Sequence, residues 1–370
     1  MTILVLSPSV YDTSPGMRFR MEQWARYLEP RGYRFVFVPF ESAALHRVLY
    51  RPGRYWEKAG RMLAALARRI ALVSKVGRFD AVVLYREAAL LGPALIERLL
   101  GVCGVPLLYD FDDPVWMPYR SPVNGIFGAL KCQRKTASIC RLATRVTVGN
   151  RLLAAYASEQ GARHVDIVPS TIDMHQYQPR PAPCGSPAEP GLVTLGWTGS
   201  HSTLPFLRLI EDALRSLSQR RRFRLVVIAH DASYALPGIG APVVARPWRA
   251  ATEAHDLSDI DIGLAPFPDS GWTPWRCHGK VLQYMAAGIP PVASAIGILP
   301  DYIEDGRNGL LARGAEEWAG LLERLIDNAP LRHAMGAAAA ATIRERYSAQ
   351  VWAPRVGQIL DALVASGKSR

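Results

Sequence analysis

Short apolar runs of β type alternate with stretches of helical periodicity along most of the chain. Before residue 179 the runs are I-L-V-L-S (3–7), R-F-V-F-V (34–38), D-A-V-V-L-Y (80–85), P-L-L-Y-D (106–110), R-V-T-V (145–148) and V-D-I-V-P (165–169). The order βαβα implies parallel sheets covered by helices on both faces. P-R-P-A-P-C-G-S-P-A-E-P-G (179–191) then breaks the pattern, since its prolines and glycines sustain neither element, and it reads as an interdomain linker. Alternation resumes with V-T-L-G-W (193–197), F-R-L-V-V-I-A (223–229), P-V-V-A-R (242–246), D-I-G-L-A-P-F (261–267) and P-V-A-S (291–294), and closes with helices near 315–327, 331–346 and 350–366. The expectation is an α/β chain of two Rossmann-like parallel-sheet domains, with an active site in the cleft that faces the carboxyl ends of the strands. The N-terminal domain is expected over 1–178 and the C-terminal domain over 192–348. A helix at 349–370 is expected to pack back on the N-terminal domain.

The length of 370 residues suits two domains of ~100–200 residues each. Hydrophobic residues at 49% and charged residues at 21% are those of an ordinary globular chain. No apolar run approaches the ~18 residues of a spanning helix, and M-T-I-L-V-L-S-P-S-V reads as a first strand rather than a leader. A cytoplasmic location is expected, with attachment to the inner face of a membrane left open. Five cysteines without a C-x-x-C pair argue against a disulfide framework or a zinc site. The net charge of +12 changes the picture only locally: between Arg47 and Arg78 nine Lys and Arg face one acid, Glu57. Tyr50, Tyr55, Trp56, Met62, Leu63, Leu66, Ile70 and Leu72 are interleaved with those cations. The segment suits either a helix lying on an anionic membrane or a solvated helix packed by its Leu/Ile face. Nucleic acid is not expected as a partner, because the chain has no nucleic-acid motif and the basic run is local.

Four loops at the carboxyl ends of predicted strands carry the candidate chemistry. In S-P-S-V-Y-D-T-S-P-G-M-R-F-R (7–20), Gly16 permits close backbone approach, and Arg18 and Arg20 bring cations to a helix N-terminus, a natural anion site. In L-L-Y-D-F-D-D-P-V-W (107–116), Asp113 before Pro114 suits an N-cap, yet Asp110, Asp112 and Asp113 are more acids than a cap needs. A metal-binding D-x-D is the alternative reading. In L-G-W-T-G-S-H-S-T-L-P-F-L (195–207), a small-residue loop follows the strand, and the backbone N–H groups of Gly199, Ser200 and His201 suit a phosphate.

The fourth loop, W-T-P-W-R-C-H-G-K (272–280), crowds Trp272, Trp275, Arg276, His278 and Lys280 against the start of a helix. Lys280 and Gln283, three residues apart, share one face of it, while Leu282, Met285 and Ala286 form the core-facing stripe. Gly288 ends the helix and Pro290-Pro291 prevents its continuation. Its N-terminus carries partial positive charge, which suits a diphosphate.

The K-V-L-Q-Y-M-A-A-G-I-P-P-V-A-S segment resembles the donor-site motif of the family 4 retaining glycosyltransferases, a glutamate followed by A-M-A-x-G-x-P-V-V. L-G-W-T-G-S, D-I-D-I-G-L-A-P, D-G-R-N-G-L-L-A, V-G-N-R-L-L and I-V-P-S-T-I-D fall in family-like order over nearly the whole chain. The resemblance implies a GT-B fold and metal-independent, retaining transfer of a sugar from a nucleoside diphosphate sugar, UDP or GDP form, to an acceptor it does not identify. No cofactor is expected. Trp275 and Gln283 replace the family's paired acids, and T-G-S-H-S-T lacks its arginine and lysine, a charge that Arg276 and Lys280 are expected to supply. Lys280, Arg276, Asp112 and Asp113 are then the expected catalytic residues. Gly16, Arg18, Thr198, Gly199, Ser200, His201, Trp248, Trp275, Lys280 and Gln283 are expected on the donor, and Arg20 and Asn150 on the acceptor side. A nucleotide-sugar epimerase of the same fold and a non-catalytic membrane-surface or scaffold protein are the alternatives.

Overall fold

Each apolar run becomes a strand in the computed structural model, which describes residues 1–49, 51–117, 132–179, 191–200, 202–229, 236 and 238–368. The first half forms β1 (Thr2–Ser7), β2 (Arg34–Pro39), β3 (Ala81–Tyr85), β4 (Leu107–Phe111), β5 (Arg145–Val148) and β6 (Val165–Ile167). They pair in parallel in the order β2-β1-β3-β4-β5-β6. β3 and β4 are buried at every residue, as strands covered on both faces must be. Alternate residues serve opposite layers. Ile3, Val5, Ala81 and Val83 pack with Met17, Trp24, Val356 and Leu360, whereas Leu4, Leu6, Val82 and Leu84 pack with Ile96, Leu100, Ile139 and Leu153.

The second half forms β7 (Val193–Thr198), β8 (Phe223–Ala229), β9 (Val243–Pro247), β10 (Ile262–Ala265), β11 (Pro291–Ser294) and β12 (Leu310–Ala312). They too are parallel, in the order β12-β11-β10-β7-β8-β9. β12 lies inside D-G-R-N-G-L-L-A and was not foreseen, since three residues are too short to carry a period of two. The helix Ala329–Thr342 passes into a π-helical turn, Ile343–Tyr347, before the helix Ala349–Lys368.

The chain groups into two units, one of Met1–Ser170, Trp275–Cys277 and Trp352–Arg370, the other of Thr171–Pro274 and His278–Val351. The division after Ser170 falls earlier than the boundary expected at 178. Its cause is a pairing distant in sequence: Ile172 N–H donates to Tyr347 O at 2.9 Å, and Gln350 donates to Asp173 at 3.3 Å. Residues 180–190 of the expected linker lie outside the described residues. In each unit the strand order reverses beside the first strand, between β1 and β3 and between β7 and β10. Doubly wound sheets bind ligands outside the carboxyl ends of the strands at such switch points.

The basic segment forms the helix Tyr55–Val73; Tyr50 lies outside the described residues. Two of its cations are structural rather than surface charge. Lys58 donates to Arg51 O at 2.6 Å. Arg69 donates to Ala88 O at 3.0 Å, Val38 O at 2.8 Å and Ser7 O at 3.1 Å, and burial holds its guanidinium down to about 10. Met62 and Leu66 pack inward with Phe40, Leu45 and Val48. Among the described residues no helix is long and apolar enough to cross a membrane.

Candidate active site

The fourth loop leads into the helix Gly279–Ala286. His278 precedes it with left-handed backbone, φ 43°, a conformation that costs a non-glycine residue energy and clusters at functional sites. The helix is not the half-polar one expected. Val281 through Ala286 are all buried, because the helix is packed on most of its circumference. Tyr284 ties it to the switch point: its hydroxyl accepts from Thr198 N–H at 2.8 Å and donates to Leu264 O at 3.4 Å. The carboxyl-terminal ends of β7 and β10 are thereby held to one helix.

Lys280 then reaches the end of β7. Its buried ammonium stands 4.0 Å from the Trp197 ring centroid and 5.3 Å from that of Phe267. Gly199 makes the space: a Cβ there would lie 2.8 Å from Lys280 Nζ and 2.7 Å from the Trp197 ring. The role expected for the Gly199 N–H is corrected, since it donates to Ile228 O at 3.1 Å and so extends the sheet. Ser200 hydroxyl pairs with that of Ser202 at 2.9 Å; His201 lies outside the described residues. Gln283 donates to the Tyr177 hydroxyl at 2.6 Å. Trp248, half-buried past the end of β9, donates its backbone N–H to Ala229 O at 2.8 Å.

In the first unit the switch point gathers Gly16, Tyr85, Arg86, Asp112, Asp113 and Arg276. Asp112 accepts from the Tyr85 hydroxyl at 2.8 Å and from Arg86 at 2.7 Å. Asp113 accepts from Arg86 at 2.7 Å and from Arg276 at 3.0 Å. Burial pushes the Asp113 carboxyl up, but Arg276 and Arg86 outweigh it and hold it below the usual carboxylate range. A Cβ at Gly16 would collide with Tyr85 Oη and Asp112 Oδ2, so only glycine admits them. Arg86 was missed by sequence reasoning; its single local signal, φ 61° at a strand end, is a conformational one.

Several expectations for this unit are corrected. Arg276 is engaged by Asp113 in the first unit, whereas Lys280 stands on Trp197 in the second. Trp275 meets Trp116 edge-on at 5.5 Å in the first unit, and Trp272 packs on Phe206 at 5.9 Å in the second. Arg20 is fully buried and grips Asp110 through Nε at 2.8 Å and Nη2 at 2.5 Å, with a further bond to Val168 O. It holds the fold and does not face an acceptor. Thr147 also donates to Asp110, at 2.6 Å, so this acid of the D-x-D is taken up by the core. Arg18 pairs with Asp12 at 2.9 Å. Asn150 caps the helix Arg151–Glu159 through Leu153 N–H at 3.0 Å and donates to Trp275 O at 2.8 Å. Cys277, its thiol pushed up to about 12 by burial, donates to Asp112 O at 3.1 Å. Among the described residues no three His, Cys, Asp or Glu converge as metal ligands.

Two doubly wound parallel sheets, each with charged side chains at its switch point, are the architecture of the GT-B fold. Solved structures agree. The chain superposes on sucrose-phosphate synthase from Thermosynechococcus elongatus with a TM-score of 0.67 at 14% identity, over 99% of this chain and 100% of that one. Anabaena Alr3699/HepE, solved in complex with UDP, gives 0.67 at 16% identity over 98% and 100%. Residues 193–328 match the family model of glycosyl transferases group 1. Sulfoquinovosyl transferase SQD2 of Arabidopsis thaliana is 22% identical over 94% of this chain and 74% of its own length. A D-inositol 3-phosphate glycosyltransferase of an Arthrobacter species is 48% identical over 48% of this chain, which spans 45% of that protein. The chain has the GT-B fold, and residues 193–328 of its second unit match glycosyl transferases group 1.

Proposed function

We propose that the chain transfers a sugar from a nucleoside diphosphate sugar to an acceptor, with retention at the anomeric carbon and without a metal. One observation carries the reading: the Lys280 ammonium, made room for by Gly199, stands at the switch point beside the start of the Gly279–Ala286 helix. As the bond from sugar to diphosphate breaks, negative charge gathers on the leaving phosphate. A preorganised cation and a helix N-terminus stabilise that charge more than they stabilise the ground state. Gln283 has an amide able to hydrogen-bond a ribose hydroxyl, and Trp248 supplies a surface for the base. Asp112, Asp113, Arg86 and Arg276 form the polar floor that orients the acceptor or the transferred sugar. Retention rests on the family resemblance. The UDP complex of HepE makes the uridine form the first to try.

The test is a melting-temperature panel of UDP, GDP and ADP, followed by release of the diphosphate from the matching nucleotide sugars. A ligand at 100 times its dissociation constant stabilises by ~2.7 kcal/mol, a shift within easy reach. Folded protein that melts at one temperature throughout the panel overturns the reading. Turnover of the donor to an isomeric nucleotide sugar, without diphosphate release, replaces it with epimerisation.

A further inference from the structure

The first unit's helix layer leaves an apolar face uncovered. Trp56, Leu63 and Ile70 recur every seven residues on the outer side of the Tyr55–Val73 helix, and Trp56 is 92% exposed and Leu63 67%. Seven residues are nearly two full turns, so the three share one face. The neighbouring helix Leu95–Val102 repeats the feature with Leu95, Leu99 and Val102, the last 85% exposed. The two helices are adjacent, the Cys103 thiol donating to Val73 O at 3.8 Å. Of the twelve large hydrophobics exposed among the described residues, eight lie on these two helices and on Lys135–Leu142 beside them. Scattered exposure needs no explanation, but such concentration marks an interaction surface.

Charge identifies the partner. Arg51, Arg54, Arg68, Lys75, Arg78 and Arg98 are exposed around this face. The acids are already occupied: Glu57 holds Arg54 at 3.3 Å and Arg61 at 2.9 Å, and buried Glu97 accepts from Ala88 N–H at 3.0 Å. A second copy of the chain would bring the same cationic rim against itself in a two-fold interface. We propose that this face docks on an anionic lipid surface, with Trp56, Leu63, Ile70, Leu95, Leu99 and Val102 entering the acyl boundary and the arginines and lysines meeting the headgroups. The arrangement is that of a helix lying in the interface rather than crossing it. It does not rest on the sugar-transfer reading.

The experiment is flotation of the full chain with vesicles of phosphatidylcholine alone and of phosphatidylcholine mixed with phosphatidylglycerol. Binding to the mixed vesicles is expected to be at least ~10-fold stronger, with a loss of about fivefold for each of Lys75→Gln and Arg78→Gln at low salt. The double variant Trp56→Gln/Leu63→Gln, both positions exposed and therefore neutral to folding, lowers binding ~10-fold or more. Equal recovery with both vesicle types overturns the proposal, as does binding that ignores Trp56 and Leu63. A concentration-dependent dimer in ultracentrifugation, dispersed by Leu63→Gln, would reassign the face to self-association.

Discussion

Lys280→Met removes the charge at the second unit's switch point and keeps most of the stem. The ammonium lies 4.0 Å from the Trp197 centroid and 5.3 Å from that of Phe267, so the cation–π attraction lost is about 2 kcal/mol at a desolvated site. Burying an ammonium is itself costly, and methionine packs well against aromatic rings. The opposed terms leave the change in folding stability under about 2 kcal/mol. The chemical step has no such compensation. The leaving diphosphate gains charge in the transition state, and loss of one preorganised partner costs ~3–4 kcal/mol, or ~10²–10³ in rate. Gly199→Ala gives the same loss by another route, because its Cβ would stand 2.8 Å from Lys280 Nζ and displace it. The double variant is then no slower than Lys280→Met alone, since both changes remove one interaction. Single-turnover diphosphate release, diphosphate affinity and urea unfolding, measured on all three variants, separate rate from binding and from folding. If folded Lys280→Met turns over near the wild-type rate, the cation is an aromatic-cage element of the core and the charge argument fails.

Gln283→Ala weakens diphosphate binding by ~0.5–1.5 kcal/mol, the value of one neutral hydrogen bond, whereas Gln283→Glu retains it by accepting from Tyr177; isothermal titration distinguishes them. Asp113 has a depressed folded pKa, so its contribution to stability is full above its unfolded value of ~3.9 and is lost as pH falls through the folded one. Unfolding free energies of wild type and Asp113→Asn should therefore differ at pH ~6 and converge in acid. Arg69→Met strands the carbonyls of Ala88, Val38 and Ser7 and destabilises by about 3 kcal/mol or more, read as a lower urea midpoint.

The strands were legible because each is a short apolar run between helical stretches, and β5, β8 and β11 fall on the residues expected. The outer boundary of the first unit was not. Its cue is the pairing of Ile172 with Ser348, a contact distant in sequence that no local pattern carries. Lys280 beside Gly199 was within reach, since both positions stand at strand or helix ends in the family-like segments. Arg20 misled because a cation near a helix start looks like an anion site until its partner, Asp110, is found ninety positions away. The helix Gly279–Ala286 misled in the opposite way: a lysine and a glutamine three residues apart suggest a solvent face, yet Gln283 is buried against Tyr177.

The corrected placement of Arg276 alters what each unit is suited to hold. In the first unit Arg86 and Arg276 meet Asp112 and Asp113 at 2.7–3.0 Å, a quartet of two cations and two anions whose formal charges cancel. Charged groups already paired present oriented donors and acceptors with little net field, which fits a neutral polyhydroxyl group such as a sugar and offers little attraction to a dianion. In the second unit the neighbours of Lys280 that make its pocket are aromatic rings and a glycine. A ring's quadrupole attracts the ammonium without neutralising it. The helix beginning at Gly279 adds its partial positive charge to the same spot. Asn150 explains how the first arrangement is fixed: by capping its own helix while holding the Trp275 carbonyl, it sets the backbone next to Arg276 and so aims that guanidinium at Asp113. Asn150→Ala should accordingly weaken acceptor or sugar recognition, seen as a raised KM for the transferred group, while diphosphate affinity stays within about twofold of wild type. Equal losses in both would mean that the tripeptide Trp275–Cys277 supports the donor side as well, and would undo the division of labour argued from charge.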